Sequence, residues 1–198
     1  VNSVCSLRAQ GNEHFVIAAV DAEMMDICKS LNLPCAPSVL GFQNDTAAAE
    51  FLTKGYYNIV QSKTAQVEAL LRTGLNVLFC DSDIYHLQDP LRTDLPCRDD
   101  SCHIAMSTNR PDVPPAWEWG NWNLNSGFYY VRSTEAMLEE WQVIREAIRE
   151  SGQLEQPPFN TVLCGIDGGH KDWDTGLCVN DHQIKTAMLD PARFVIAA

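Results

Sequence analysis

An α/β fold, with a mostly parallel sheet flanked by helices in a single domain, is what this sequence predicts. Two observations carry the prediction. Short apolar, β-branched runs alternate with segments whose apolar residues recur at helical spacing. One of those runs, Asn76–Cys80, leads directly into Asp81-Ser82-Asp83, and open α/β sheets bind ligands outside the carboxyl ends of their strands.

The elements follow in order. His14–Val20 is apolar and β-branched and reads as a first strand. Asp21 is placed to cap the next helix, where Met24, Cys28 and Leu31 repeat at helical spacing before Pro34 and Pro37 end it. Asp45–Lys54 is Ala-rich and reads as helix. Ser62 opens a further helix, with Val67, Leu70 and Leu71 on one face and Gly74 as its stop. Asn76–Cys80 reads as a buried strand and His103–Ser107 as another. Asn109–Asn125, which holds Trp117, Trp119 and Trp122, reads as a loop. Gly127–Arg132 is a strand. Ser133 or Thr134 then caps an amphipathic helix bearing Met137, Leu138, Trp141, Ile144 and Ile148, which Gly152 ends. Pro157 and Pro158 suit the start of a helix through Phe159–Cys164. The remainder is less regular.

The chain has 198 residues, enough for one sizeable core. It carries 26 Asp and Glu against 14 Lys and Arg, a formal net charge of −12, without a basic run. That balance excludes nucleic acid as a natural partner. No apolar stretch is long enough to span a membrane and no signal peptide is visible. The opening at Val1 and the apolar run Phe194–Ala198 give the expectation of a domain cut at both ends. Among eight cysteines, Cys28 with Cys35 and Cys97 with Cys102 are spaced to close small disulfide loops in an oxidising lumen. The alternative is free thiols, with Cys80 and Cys164 as buried small hydrophobes. Cys97, Cys102 and His103 lack a suitably spaced fourth partner for a metal site.

Two acids at the end of an apolar strand need a stabilising partner. A divalent cation bridging carboxylates to a diphosphate supplies one, so Asp81 and Asp83 are candidate ligands of Mn²⁺ or Mg²⁺. On a continuous strand the two would point to opposite sides, so both serve one ion only if the chain bends there or one acts through water. A calcium loop would place glycine where His86 stands. A haloacid-dehalogenase-type phosphatase would want a small hydroxyl or β-branched residue in place of Tyr85.

Three ordered motifs resemble the nucleotide-diphospho-sugar transferases of glycosyltransferase family 77. They are Lys63 through Gly74 to Asp81-Ser82-Asp83 and Asp89-Pro90; Asn125-Ser126-Gly127-Phe128 with its strand; and Glu155-Gln156-Pro157-Pro158-Phe159-Asn160. The resemblance spans roughly residues 14–196. It implies a GT-A, Rossmann-like fold and metal-dependent transfer from a nucleotide diphosphate sugar, typically a UDP-sugar, to a glycan or glycoprotein acceptor, with retention. It also implies residence in the Golgi lumen or secretory pathway, with a membrane anchor absent from this chain. Asp81 and Asp83 would hold the ion, and Lys63, Asn125, Ser126 and Gly127 would meet the donor. Gln156 would hydrogen-bond near the anomeric centre, and Glu155 would stabilise the oxocarbenium-like centre. Glu155 stands where the family has Asp, which moves the carboxylate by about one C–C bond; the alternative is a solvated acid before a helix start. Lys63 has the alternative of a solvated helix lysine. His170 and His182 are the late candidates for a third ligand, and Trp117, Trp119 and Trp122 for an acceptor groove. Two rival classes stand beside this reading: a non-catalytic nucleotide-sugar or carbohydrate binder, and a metal-dependent phosphohydrolase.

Overall fold

The computed structural model describes residues 2–41, 53–91, 94–108, 124–152, 154–165, 169–172, 174–191 and 193–194. The Ala-rich helix expected before Thr53 and the three tryptophans of the expected loop lie outside these residues. In order, the elements are α1 (Asn2–Ala9), β1 (Ile17–Ala19), α2 (Ala22–Ser30), β2 (Cys35–Pro37), α3 (Lys54–Leu71), β3 (Val77–Cys80), β4 (Ile104–Thr108), β5 (Leu124–Val131), α4 (Glu135–Ser151), α5 (Gln156–Cys164), β6 (Cys178–Val179) and β7 (Lys185–Met188).

Local chemistry sets most boundaries. The Asp21 carboxylate accepts from the Met24 amide at 2.7 Å and starts α2, and Thr134 does the same for α4 through Met137 at 3.1 Å. Gly152, at φ +58°, closes α4 in the left-handed conformation that glycine adopts without strain. α3 begins at Thr53, its cap, rather than at Ser62. The apolar repeat that marks Val67 and Leu71 weakens toward the helix start, where the inward face carries site residues instead.

The helices flank a five-stranded sheet in the order β3-β5-β4-β7-β6, while β1 and β2 form a separate parallel pair. The α/β class holds, but the larger sheet is mixed rather than mostly parallel. β5 runs antiparallel to both neighbours, β4 pairs parallel with β7, and β6 runs antiparallel to β7. β3 and β4 therefore point the same way, as strand alternation predicts, but β5 inserts between them. That insertion also leaves β3 at the sheet edge, half-buried along its length rather than buried.

The main core lies between the sheet and α3, α4 and α5. Tyr129, Trp141 and Phe159 pack with ring centroids 5.5–5.9 Å apart. Trp141 Nε1 donates to the Thr64 carbonyl at 2.9 Å, which ties α4 to α3. Disulfides join Cys28 to Cys35, Cys97 to Cys102, and Cys164 to Cys178. The first two are the expected pairs. The third corrects the reading of Cys164 as an inert thiol: α5 and β6 bring it to a cysteine fourteen residues on, a spacing that carries no local signal. Cys5 and Cys80 are free.

Candidate active site

The site grows from the β3–β5 register. Cys80 stands opposite Phe128, so the next residue, Asp81, meets Gly127 and donates its amide to the Gly127 carbonyl at 2.8 Å. There the strand ends in a turn, with the Ile84 amide directed to the Asp81 carbonyl at 3.3 Å. The chain thus bends at Ser82-Asp83, the condition under which both acids can serve one ion. Asp81 is half-buried and Asp83 exposed.

A bulge shapes the opposing strand. Between β4 and β5 the register passes from Met106–Tyr129 to Ser107–Asn125, so Ser126, Gly127 and Phe128 are extra on β5. Ser107 Oγ fixes the bulge by donating to the Phe128 carbonyl at 2.9 Å. Asn125 Oδ1 accepts the Gly127 amide at 2.7 Å. A Cβ on Gly127 would lie 2.9 Å from Asn125 Oδ1 and 3.0 Å from Asp81 Oδ2, so only glycine lets these polar groups close on one another.

α5 and α3 complete the site. Glu155, at the start of α5, makes no side-chain cap and is only 5% exposed. Its Oε1 accepts from Ser126 Oγ at 3.1 Å and from Lys63 Nζ at 2.8 Å. Lys63 Nζ also lies 2.8 Å from Asp81 Oδ1 and sits over the Phe79 ring, 5.4 Å from its centroid. Neither Glu155 nor Lys63 is the solvated side chain that the bland alternatives require. The extra methylene of Glu155 is taken up by its reach from the helix start to Lys63 and Ser126. Gln156 is half-buried as the first residue of α5. Asn160, one turn on, clamps the start of β5: its Oδ1 accepts the Leu124 amide at 2.7 Å and its Nδ2 donates to the Leu124 carbonyl at 2.9 Å.

Asp81 and Glu155 thus share the Lys63 ammonium, and with Asp83 two residues beyond Asp81 the carboxylates outnumber the positive charge among the described residues. Burial alone would lower the Lys63 ammonium, but Glu155 and Asp81 outweigh it and hold its pKa above the ordinary lysine value. Burial raises the Asp81 carboxyl, and Glu155 and Asp83 add to this against the opposing pull of Lys63. Tyr56, two helical turns before Lys63, feels the same cluster: burial raises its phenol, followed by Glu155, with Asp81 and Asp83 adding. Reading the sequence by motif alone misses Tyr56; its seven-residue spacing from Lys63 on one helix is the signal that finds it.

The donor set suits a hard divalent cation. Such ions bind through one or two carboxylates and complete their shell with water and ligand phosphates, and the surplus negative charge has the sign to attract one. Among the described residues no group of three or more His, Cys, Asp and Glu is arranged to hold a metal. His182 pairs instead with the buried Glu140 on α4, Nδ1 to Oε2 at 2.6 Å. The His170 amide donates to the Cys164 carbonyl, and its ring packs on Gly165. Cys97 and Cys102 are spent in a disulfide, and His103 Nδ1 accepts the Lys185 amide.

A lysine held between carboxylates at the carboxyl end of β3, beside Gly127, is the class of site at which α/β sheets bind ligands. Comparison with known proteins agrees with that class. Residues 10–197 match the model of the nucleotide-diphospho-sugar transferase family, and the chain belongs to that family. It is 28% identical over 96% of its length to beta-arabinofuranosyltransferase RAY1 of Arabidopsis thaliana, covering 35% of that protein. It is 24% identical over 81% of its length to arabinosyltransferase RRA2 of the same plant, covering 40% of it. A third relative, the plant's UDP-D-xylose:L-fucose alpha-1,3-D-xylosyltransferase, is 27% identical over 59% of the chain and is covered over 35%. The chain therefore spans well under half the length of these curated relatives. No solved structure matches it.

Proposed function

We propose that this chain is the donor-binding catalytic unit of a glycosyltransferase that takes a sugar from a UDP-sugar and passes it, with retention, to a glycan or glycoprotein acceptor. The observation that carries the reading is the convergence of Lys63, Asp81, Ser126, Gly127 and Glu155, drawn from four elements, on one point at the carboxyl end of β3. The names of the relatives favour a pentose, arabinose or xylose, with galactose as the comparison.

Asp81 and Asp83 would hold Mn²⁺ or Mg²⁺. When bound, the ion neutralises charge on the diphosphate and on the departing nucleoside diphosphate. The chain's own residues do the rest. Gly127 lets the Asp81 carboxylate and the Asn125 amide close on one another, so both would be held ready for the donor. Ser126 and Lys63 fix the direction of the Glu155 carboxylate. That carboxylate is then pre-aligned to stabilise positive charge as it develops on the sugar ring, without reorganising at the moment of transfer. Lys63 supplies a compact positive charge that can pass from Asp81 to a donor oxygen. Gln156, next to Glu155, would hydrogen-bond near the anomeric carbon. Three disulfides favour the oxidising lumen of the secretory pathway, the Golgi included, as the place of work.

The test is release of UDP from UDP-xylose, UDP-arabinofuranose and UDP-galactose with Mn²⁺ present. The expected result is metal-dependent UDP release that Glu155→Gln reduces while UDP binding stays near wild type. Release of inorganic phosphate from simple phosphomonoesters, without UDP release from any donor, would establish the phosphohydrolase alternative. UDP binding without turnover would establish a binding module.

A further inference from the structure

We propose that Lys63 competes with the divalent cation for Asp81: its ammonium holds that carboxylate until a nucleoside diphosphate enters, so the chain takes up the cation together with the nucleotide and resists it alone. The inference rests on the glycosyltransferase reading and deepens it, by assigning how that site is loaded.

Lys63 reaches two carboxylates at different depths. Its Nζ lies 2.8 Å from Asp81 Oδ1 and 3.2 Å from Oδ2, so it engages both oxygens of that group. It also lies 2.8 Å from Glu155 Oε1. The Asp81 side chain is 37% exposed and that of Glu155 only 7%. Asp83, the other candidate ligand, is exposed. A cation therefore approaches Asp81 from the solvent side, while the ammonium sits on the inner side over the Phe79 ring.

Glu155 can keep the ammonium without Asp81. The hydrogen bonds from Lys63 and from Ser126 both fall on Oε1, and among the described residues Oε2 accepts none. That oxygen is left for a second of the three N–H donors that an ammonium carries.

Asp81 cannot serve the ammonium and a divalent cation equally. A cation on the Asp81 oxygens comes within a few ångströms of Nζ, and like charges at that range repel strongly where water is partly excluded. Lys63, a point charge on a flexible stem, must then draw back to Glu155 or onto a new anion. A diphosphate supplies that anion, because its oxygens take an ammonium in charge-assisted hydrogen bonds. The nucleotide thus favours the displacement that a cation alone has to force. Before both arrive, Lys63 keeps Asp81 and Glu155 from repelling one another and holds the site assembled.

The experiment is calorimetric titration with Mn²⁺ alone, then with UDP at saturating Mn²⁺, for wild type, Lys63→Met and Lys63→Gln, each checked for folding by its thermal melt. Lys63→Gln keeps a hydrogen-bond donor for Glu155 and carries the test if Lys63→Met does not fold. Both variants are expected to bind Mn²⁺ alone about tenfold or more tightly than wild type, the effect of lifting a like charge from beside a divalent ion. Both are expected to bind UDP about tenfold more weakly, through loss of one charge-assisted contact. Mn²⁺ affinity unchanged or weaker in the variants would overturn the competition and leave Lys63 as a donor contact. Tighter Mn²⁺ with unchanged UDP affinity would make Lys63 a bystander charge and overturn its transfer to the nucleotide. A wild-type chain that binds Mn²⁺ as tightly alone as with UDP would overturn the order of loading. Failure of the wild-type chain to bind UDP at any Mn²⁺ concentration would overturn the underlying reading, and the competition with it.

Discussion

Lys63→Met removes the ammonium that pairs with both Asp81 and Glu155. The Glu155 side chain is 7% exposed, that of Lys63 20% and that of Asp81 37%. Breaking a fully buried pair by deleting one partner costs about 3–5 kcal/mol, because the other charge is left without compensation. Here water already shares the Asp81 charge, and Ser126 still donates to Glu155, so about 2–3 kcal/mol is expected. For a chain of this size each kcal/mol moves the melting temperature by about 2–4 °C, which gives a fall of roughly 5–10 °C. The assay is thermal unfolding by circular dichroism at neutral pH without divalent cations. Adding Glu155→Gln to Lys63→Met removes the stranded charge while keeping a hydrogen-bonding group for Ser126, and is expected to recover at least half of the loss. A Lys63→Met melt within about 1 °C of wild type, or a double variant as unstable as its two single changes combined, would refute the coupling.

Gly127→Ala should leave the fold intact, since the residue lies on a strand, but the new methyl must displace Asp81 or Asn125. Overpacking of this kind costs about 1–3 kcal/mol, so UDP affinity measured with Mn²⁺ should fall by roughly tenfold or more; wild-type affinity would show that the close approach is not needed. Asn160→Ala unclamps both backbone groups of Leu124, at roughly 1–3 kcal/mol for each group left buried and unpaired; it should lower the melting temperature and weaken UDP binding together, and loss of neither would contradict the clamp. The hydrogen bond that His182 Nδ1–H donates to the Glu140 carboxylate, then the charge of that carboxylate, raises the His182 pKa. The stability this pair contributes is therefore fully present below the ordinary histidine value, about 6.5, and is lost as pH rises through the raised one. The difference in melting temperature between wild type and His182→Gln should shrink as pH rises; a difference that grows would contradict the pairing.

Much of the fold was legible because its signals are local. The caps Asp21 and Thr134, the stop at Gly152 and the apolar face of α4 are each written within a few residues. Strand direction was not legible, because the insertion of β5 between β3 and β4 is a long-range choice made by pairing partners. The Cys164–Cys178 disulfide escaped for the same reason. At the site, residue types in order pointed to Lys63, Asp81, Asp83, Asn125, Ser126, Gly127 and Glu155. What only the structure adds is the way they meet: the three-residue bulge that brings Ser126 and Gly127 to Asp81, and the burial of Glu155 against Lys63. Asn160 was visible as a motif position, but its role as a clamp on Leu124 depends on the packing of α5 against β5. Tyr56 was passed over because the helix reads from sequence as opening at Ser62, which leaves Tyr56 outside it; α3 in fact begins at Lys54.

Calorimetric titration of the chain with UDP, in Mn²⁺ and then in excess EDTA, for wild type and Asp83→Ala, tests the central claim most directly. Asp83 is exposed and its loss should not unfold the domain. The account predicts saturable binding that requires the metal and disappears in Asp83→Ala while the melting temperature is kept. Equal UDP affinity in EDTA, or in Asp83→Ala, would contradict a nucleotide-sugar site built on this turn.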